Sequence, residues 1–112
     1  MLYLFKDESL GASSFYEPAR PARETAGLFD DASHLSAEAF ALRYALEPGY
    51  IHTSNNYFTR IGGIPAKWNR LIFYDGGELH SGDITAPEKL SHDPLAGRLT
   101  LNGFFTCRRN AA

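Results

Sequence analysis

Trp68-Asn69-Arg70-Leu71-Ile72-Phe73-Tyr74-Asp75-Gly76-Gly77-Glu78-Leu79-His80-Ser81-Gly82-Asp83-Ile84 is the stretch on which the fold turns. Arg70 to Tyr74 combine β-branched, aromatic and aliphatic side chains, the composition of a strand. Asp75-Gly76-Gly77-Glu78 follows, with two adjacent glycines that take positive φ without steric cost, as the two-residue primed turns require. The stretch therefore predicts a β-hairpin. With Gly76-Gly77 as the loop, Tyr74 faces Leu79, Phe73 faces His80, Ile72 faces Ser81 and Arg70 faces Asp83. Cross-strand pairs of this kind are worth roughly 0.2–1 kcal/mol each. With Asp75-Gly76 as the loop, Arg70 faces Ser81 and Leu71 faces His80. The first register is preferred because it joins opposite charges. A slip of one residue would turn every side chain of one strand to the other face.

A chain of 112 residues is expected to form one domain, residues 1–112, and to bury roughly two-thirds of its unfolded surface. It then needs neither disulfides nor a structural metal to fold. Cys107 is the single cysteine, so no intrachain disulfide can form. No basic leader opens the chain, and no run approaches the ~20 apolar residues of a membrane span. The expectation is a soluble, cytoplasmic protein with no cofactor. The net charge of −2 points to no particular partner. It divides into −4 over residues 1–56 and +2 over residues 57–112, a polarity of ordinary solvated faces. Eight Phe, six Tyr and one Trp are more aromatic rings than one core helix and half a sheet would hide.

Leu2 to Lys6 reads as a short strand. Ser9 to Arg23 has the weakest pattern. It holds either a strand around Ser13 to Glu17 or a docking arm anchored by Phe15 and Tyr16. Pro21 could open a short helix through Ala26, which Gly27 would weaken. Ala37 to Leu46 is the best helix. Ser36 is placed to cap it, Leu35 and Phe40 form a hydrophobic staple, and Glu47-Pro48-Gly49 ends it. Ala37, Phe40, Ala41 and Tyr44 share a face expected to meet the core. Tyr50 to Ile61 reads as one strand or a hairpin turning at Asn55-Asn56. Gly62-Gly63-Ile64-Pro65 reads as a loop, not a phosphate-binding one, because no lysine or helix start follows at the right spacing. Thr85 and Glu88 match a capping box for a short helix to His92. Arg98 to Arg108 alternates as a strand, with Cys107 facing inward and Phe104 stranded on the polar face.

The chemistry-bearing residues do not form a motif. His34, His52, His80 and His92 lie in no ligand pair, so no metal site is assigned. His80 and Asp83 stand three apart, which a strand sends to opposite faces unless Gly82 bulges. Ser81 has no nucleophile elbow around it. Asp75 and Glu78 flank a turn, where solvated carboxylates are commonplace and no acid–base pair is assigned. Arg60, Lys67, Arg70, Arg98, Arg108 and Arg109 interleave with Tyr57, Phe58, Trp68, Tyr74 and Phe104, as in single-strand-binding sheets. The acidic net charge argues against nucleic acid as the partner.

The sequence therefore predicts an α+β domain. It should have an antiparallel sheet of four to six strands, a main helix at about 37–46 on one face and a second at about 86–92. The expected role is a non-catalytic interaction or ligand-binding module, homo-oligomeric with a dimer favoured. Its expected binding residues are Trp68, Tyr74, Phe104, Tyr57, Arg70 and His80, with a protein or small molecule as the other partner to consider. The first alternative is a small enzyme or metal-binding protein using His80 with Asp83 or His92. The second is a single-strand-binding sheet.

Overall fold

Ala12 to Pro18, inside the stretch with the weakest pattern, is the central strand of the molecule. In a computed structural model that describes residues 1–47 and 49–109, the chain is α+β. Strand β1 is Leu2–Tyr3 and β2 is Ala12–Pro18. Helices α1 (Ala22–His34) and α2 (Ala37–Tyr44) follow, then β3 (Phe58–Ile64), β4 (Leu79–Asp83) and β5 (Thr100–Leu101). The strands form two antiparallel sheets, one in the order β3-β2-β4 and one of β1 and β5.

The hairpin expected at 68–84 does not form. Asp75-Gly76-Gly77-Glu78 does turn: the Glu78 amide donates to the Asp75 carbonyl at 3.0 Å and the Gly77 amide to Asp75 Oδ1 at 2.8 Å. Neither glycine has a positive φ, so the turn is not a primed one and does not splice the two arms into a ladder. Leu79–Asp83 pairs with β2 instead, setting His80 against Phe15 and Asp83 against Ala12. Arg70–Phe73 runs beside β1, where Tyr3 donates to the Arg70 carbonyl and Ile72 to the Met1 carbonyl. The expected Arg70–Asp83 pair is replaced by Arg60–Asp83 and by an Arg70 hydrogen bond to the Pro65 carbonyl.

Strand β2 carries Ser13 and Ser14, residues of low strand propensity, because it must be thin. Ser13 Oγ lies 2.6 Å from the Tyr3 hydroxyl, and Ser14 is fully buried beneath Arg60, which donates to its Oγ at 3.3 Å. Gly62 and Gly63, expected in a loop, lie within β3. The Arg60 guanidinium occupies the space that a Cβ on Gly63 would fill. A bulge at Ile61 shifts the register between Phe15↔Gly62 and Tyr16↔Arg60. Asn55 starts β3 by accepting from the Tyr57 and Phe58 amides, and the strand does not extend back to Tyr50.

Helix α1 passes through Gly27 and is the longest element, anchored by buried Leu28. In α2 the Ser36 hydroxyl accepts from the Ala39 amide as expected. Ala45 then takes a left-handed conformation; Pro48, assigned to the helix stop, lies outside the described residues. This helix is not a core helix. None of its residues is buried, and it leans on α1 and Tyr57 rather than on a sheet face. The second expected helix shrinks to one 3-10 turn, Pro87–Lys89, and Thr85 caps nothing, since the cap position is Ala86. The expected strand 98–108 is paired only at Thr100–Leu101, and Cys107 is exposed rather than inward.

The core lies where the two sheets meet. Tyr3, Phe5, Leu10, Ala66 and Ile72 form its buried cluster, flanked by Met1, Ile64 and Tyr74.

Candidate functional site

The small sheet has a buried face and a bare one. Tyr3 points inward and is fully buried. Its neighbour Leu2 stands directly opposite Leu101 on one side and Leu71 on the other. Side chains of directly opposed residues share a face, so Leu71, Leu2 and Leu101 form an apolar row across three extended segments. The Leu4 amide donates to the Leu99 carbonyl, which carries the row one step further along. Phe73, two residues beyond Leu71, stacks on Phe105 with centroids 6.3 Å apart and planes at 30°. Leu71, Phe73, Leu99, Leu101 and Phe105 are all exposed, Phe73 at 76% and Phe105 at 78%. Isolated exposed apolar residues are ordinary; a contiguous face of this kind is not.

The expected binding residues do not converge on one place. Tyr74 and His80 do meet, with ring centroids 4.8 Å apart, and Phe15 completes the trio by an edge contact to Tyr74 at 5.3 Å. His80 Nδ1 lies 2.7 Å from the Glu78 carbonyl; donating to it leaves Nε2 as the ring's acceptor. Trp68 is half exposed with the Lys6 ammonium 5.4 Å from its ring. Tyr57 sits at the helical end against Tyr44 and under Arg20. Phe104 projects almost wholly into solvent, and Arg70 is held by Pro65. Leu71, Phe73, Leu101 and Phe105 were not anticipated as binding residues. Alternation turned Phe105 inward and hid Phe73 in a hairpin, and only the aromatic surplus hinted at them.

The other chemical readings lack assembled groups. His80 pairs with Phe15 and Asp83 reaches Arg60, so the two lie on opposite faces of β4. Among the described residues no three His, Cys, Asp or Glu side chains gather as a metal would need. Three arginines of the strand-rich half, Arg60, Arg70 and Arg98, are held internally, while Arg108 and Arg109 are exposed. Arg60 binds Ser14 and Asp83, and half-buried Arg98 donates to the carbonyls of Gly11 and Ala12 while covering Phe5. Burial pushes the Arg98 pKa below its ordinary value, although the group stays a cation at physiological pH.

A concavity of about 770 Å³ opens between α1, α2 and the segment leading to β3. Leu28, Leu35, Phe40, Ala41, Ile51 and Phe58 supply its walls, and Glu47 and His52 its polar edge.

A family model described as "Family of unknown function (DUF6445)" matches residues 1–105. The chain belongs to this family. No curated protein and no solved structure matches it. In this DUF6445 chain the match takes in both sheets, both helices and the bare apolar face through Phe105. No helix among the described residues is long and apolar enough to cross a membrane.

Proposed function

We propose that the chain is a non-catalytic interaction module that associates with a second copy of itself through its small, apolar sheet, edge included. One observation carries this reading. The molecule exposes 8450 Å², whereas a compact monomer of 12.4 kDa exposes about 6,100 Å². The surplus of about 2,300 Å² includes the exposed segment 102–109, and the apolar part of it that is contiguous is the face of the small sheet. The radius of gyration agrees, at 16.2 Å against about 13 Å for a compact domain of this length. Leu71, Phe73, Leu101 and Phe105 supply the apolar centre that stable interfaces share. A reducing, cytoplasmic setting belongs to the same reading, since it would keep the exposed Cys107 a free thiol.

Sedimentation velocity and native mass spectrometry over a wide concentration range test it. A reversible dimer is expected, and Phe73→Asp should abolish it while leaving the far-UV spectrum of the monomer unchanged. A wild-type protein that stays monomeric at every concentration overturns the proposal.

A further inference from the structure

The segment Arg70–Phe73 is an open sheet edge. Its inner side is spent on β1: the Arg70 carbonyl accepts from Tyr3 at 3.0 Å, and the Ile72 amide donates to the Met1 carbonyl at 2.8 Å. With Arg70 and Ile72 turned toward β1, the alternation of an antiparallel ladder turns the N–H and C=O groups of Leu71 and Phe73 outward. Among the described residues none of these four groups has a hydrogen-bond partner. Natural edges are blunted by bulges, charges, prolines or brevity. The β3 edge has its bulge at Ile61, and β5 is two residues long. Leu71-Ile72-Phe73 is also short, but it carries no bulge, charge or proline, and Leu71 and Phe73 are exposed and apolar.

We infer that two copies join along this edge, as antiparallel strands related by a two-fold axis through Ile72. The inference rests on the self-association proposed above and names the contact that makes it. The edge is self-complementary. With Ile72 opposite Ile72, Leu71 of one copy faces Phe73 of the other, and Phe73 faces Leu71. Both are hydrogen-bonded pairs, so four N–H···O=C bonds close between the copies and all four free groups of each edge are used. The side chains agree with the backbone. Leu71 and Phe73 share the bare face, so the row Leu101–Leu2–Leu71 continues into the second copy's Phe73. Aromatic–aliphatic neighbours across a ladder are favourable. A second copy fits better than an unrelated strand, because the same three residues provide donors, acceptors and matching side chains at once, as a two-fold interface demands.

Amide hydrogen exchange on the full chain, read residue by residue at low and high concentration, tests the contact. The Ile72 amide, bonded within the monomer, should be protected at both concentrations. The Leu71 and Phe73 amides should exchange freely when dilute and become protected as the dimer fills. Leu71→Pro removes one outward donor per copy and leaves both inner bonds to β1 intact. It should weaken dimerisation about tenfold or more, with Ile72 still protected. If that variant fails to fold, Phe73→Lys probes the same pair through its side chain and should also weaken the dimer. A dimer whose Leu71 and Phe73 amides stay unprotected overturns the edge pairing while leaving self-association standing. A monomer at all concentrations overturns both.

Discussion

Arg60 and Asp83 meet across a strand to which neither belongs. Arg60 lies on β3 and Asp83 on β4, and their charged groups approach to 3.8 Å over Ser14 of the intervening β2. The contact is possible because Ser14 is small and Gly63 leaves the guanidinium room. Filling that space should cost more than removing a charge. Ser14→Val is expected to destabilise by about 1–3 kcal/mol through overpacking. Asp83→Asn should cost about 1 kcal/mol or less, because the pair is only partly buried. Urea unfolding separates the two, and equal losses would show that the charge, not the space, matters.

Gly11 offers a second test of close packing. Its φ is +121°, and a Cβ there would stand 2.9 Å from the Asp83 carbonyl oxygen. Gly11→Ala combines a left-handed backbone with a clash against β4. A loss of about 1–3 kcal/mol in thermal or urea unfolding is expected, whereas Gly27→Ala, in open space on α1, should be neutral or stabilising.

Tyr16 sets an alkaline limit. Burial raises its pKa above the usual value of about 10, and Asp83 adds to the rise, while the Ser14 hydroxyl and Arg60 offset part of it. Ser14 is near enough for that effect but outside bonding geometry, so among the described residues the buried Tyr16 hydroxyl has no hydrogen-bond partner. In the unfolded chain the phenol ionises first. The native state then binds the proton more tightly, so stability is complete below about pH 10 and falls as pH rises beyond it. Tyr16→Phe should flatten that decline. At neutral pH it should cost little or even stabilise, since no hydrogen bond is lost. Tyr44, whose hydroxyl donates to Asp31, has its pKa raised by that bond and contributes to the same limb. A Tyr16→Phe profile identical to wild type above pH 10 would contradict the assignment.

Because His80 and Asp83 occupy opposite faces of β4, divalent first-row metals are expected to leave the melting temperature unchanged. Scanning calorimetry with Zn²⁺, Mn²⁺ and Ni²⁺ checks this. An increase that His80→Ala removes would restore the metal reading, since a ligand bound only by the native state stabilises it.

Local signals were legible where they act locally. The Ser36 cap, the start of α1 after Pro21 and the turn at Asp75–Glu78 depend on residues within four positions of one another, and each forms where its chemistry predicts. The opposite faces of His80 and Asp83 likewise follow from strand periodicity. The α+β class was legible too, from helix and strand patterns in one short chain. Trp68, Tyr74, Phe104 and Tyr57 were chosen as rings beyond what a core could hold, a sound count that says nothing of position. Hence Tyr74 and His80 meet while Trp68, Tyr57 and Phe104 stand apart.

Partner choice between strands was decided only in three dimensions. Leu79–Asp83 had a neighbour of good strand composition, Arg70–Tyr74, just across the Asp75–Glu78 turn, yet it pairs with Ala12–Pro18, more than sixty residues away. The reason is geometric. Without a positive φ at Gly76 or Gly77 the turn is not the tight primed turn that would join Arg70–Tyr74 to Leu79–Asp83. The thin, serine-bearing β2 can instead accept a strand on each side and bring Arg60 over to Asp83. Thus Trp68–Ile84, by itself, specifies extended chain, a turn and the opposed faces of His80 and Asp83. That its first arm lies along β1 with Leu71 and Phe73 bare follows from the tertiary pairing, because a backbone hydrogen bond records no sequence and goes to whichever strand the core brings alongside.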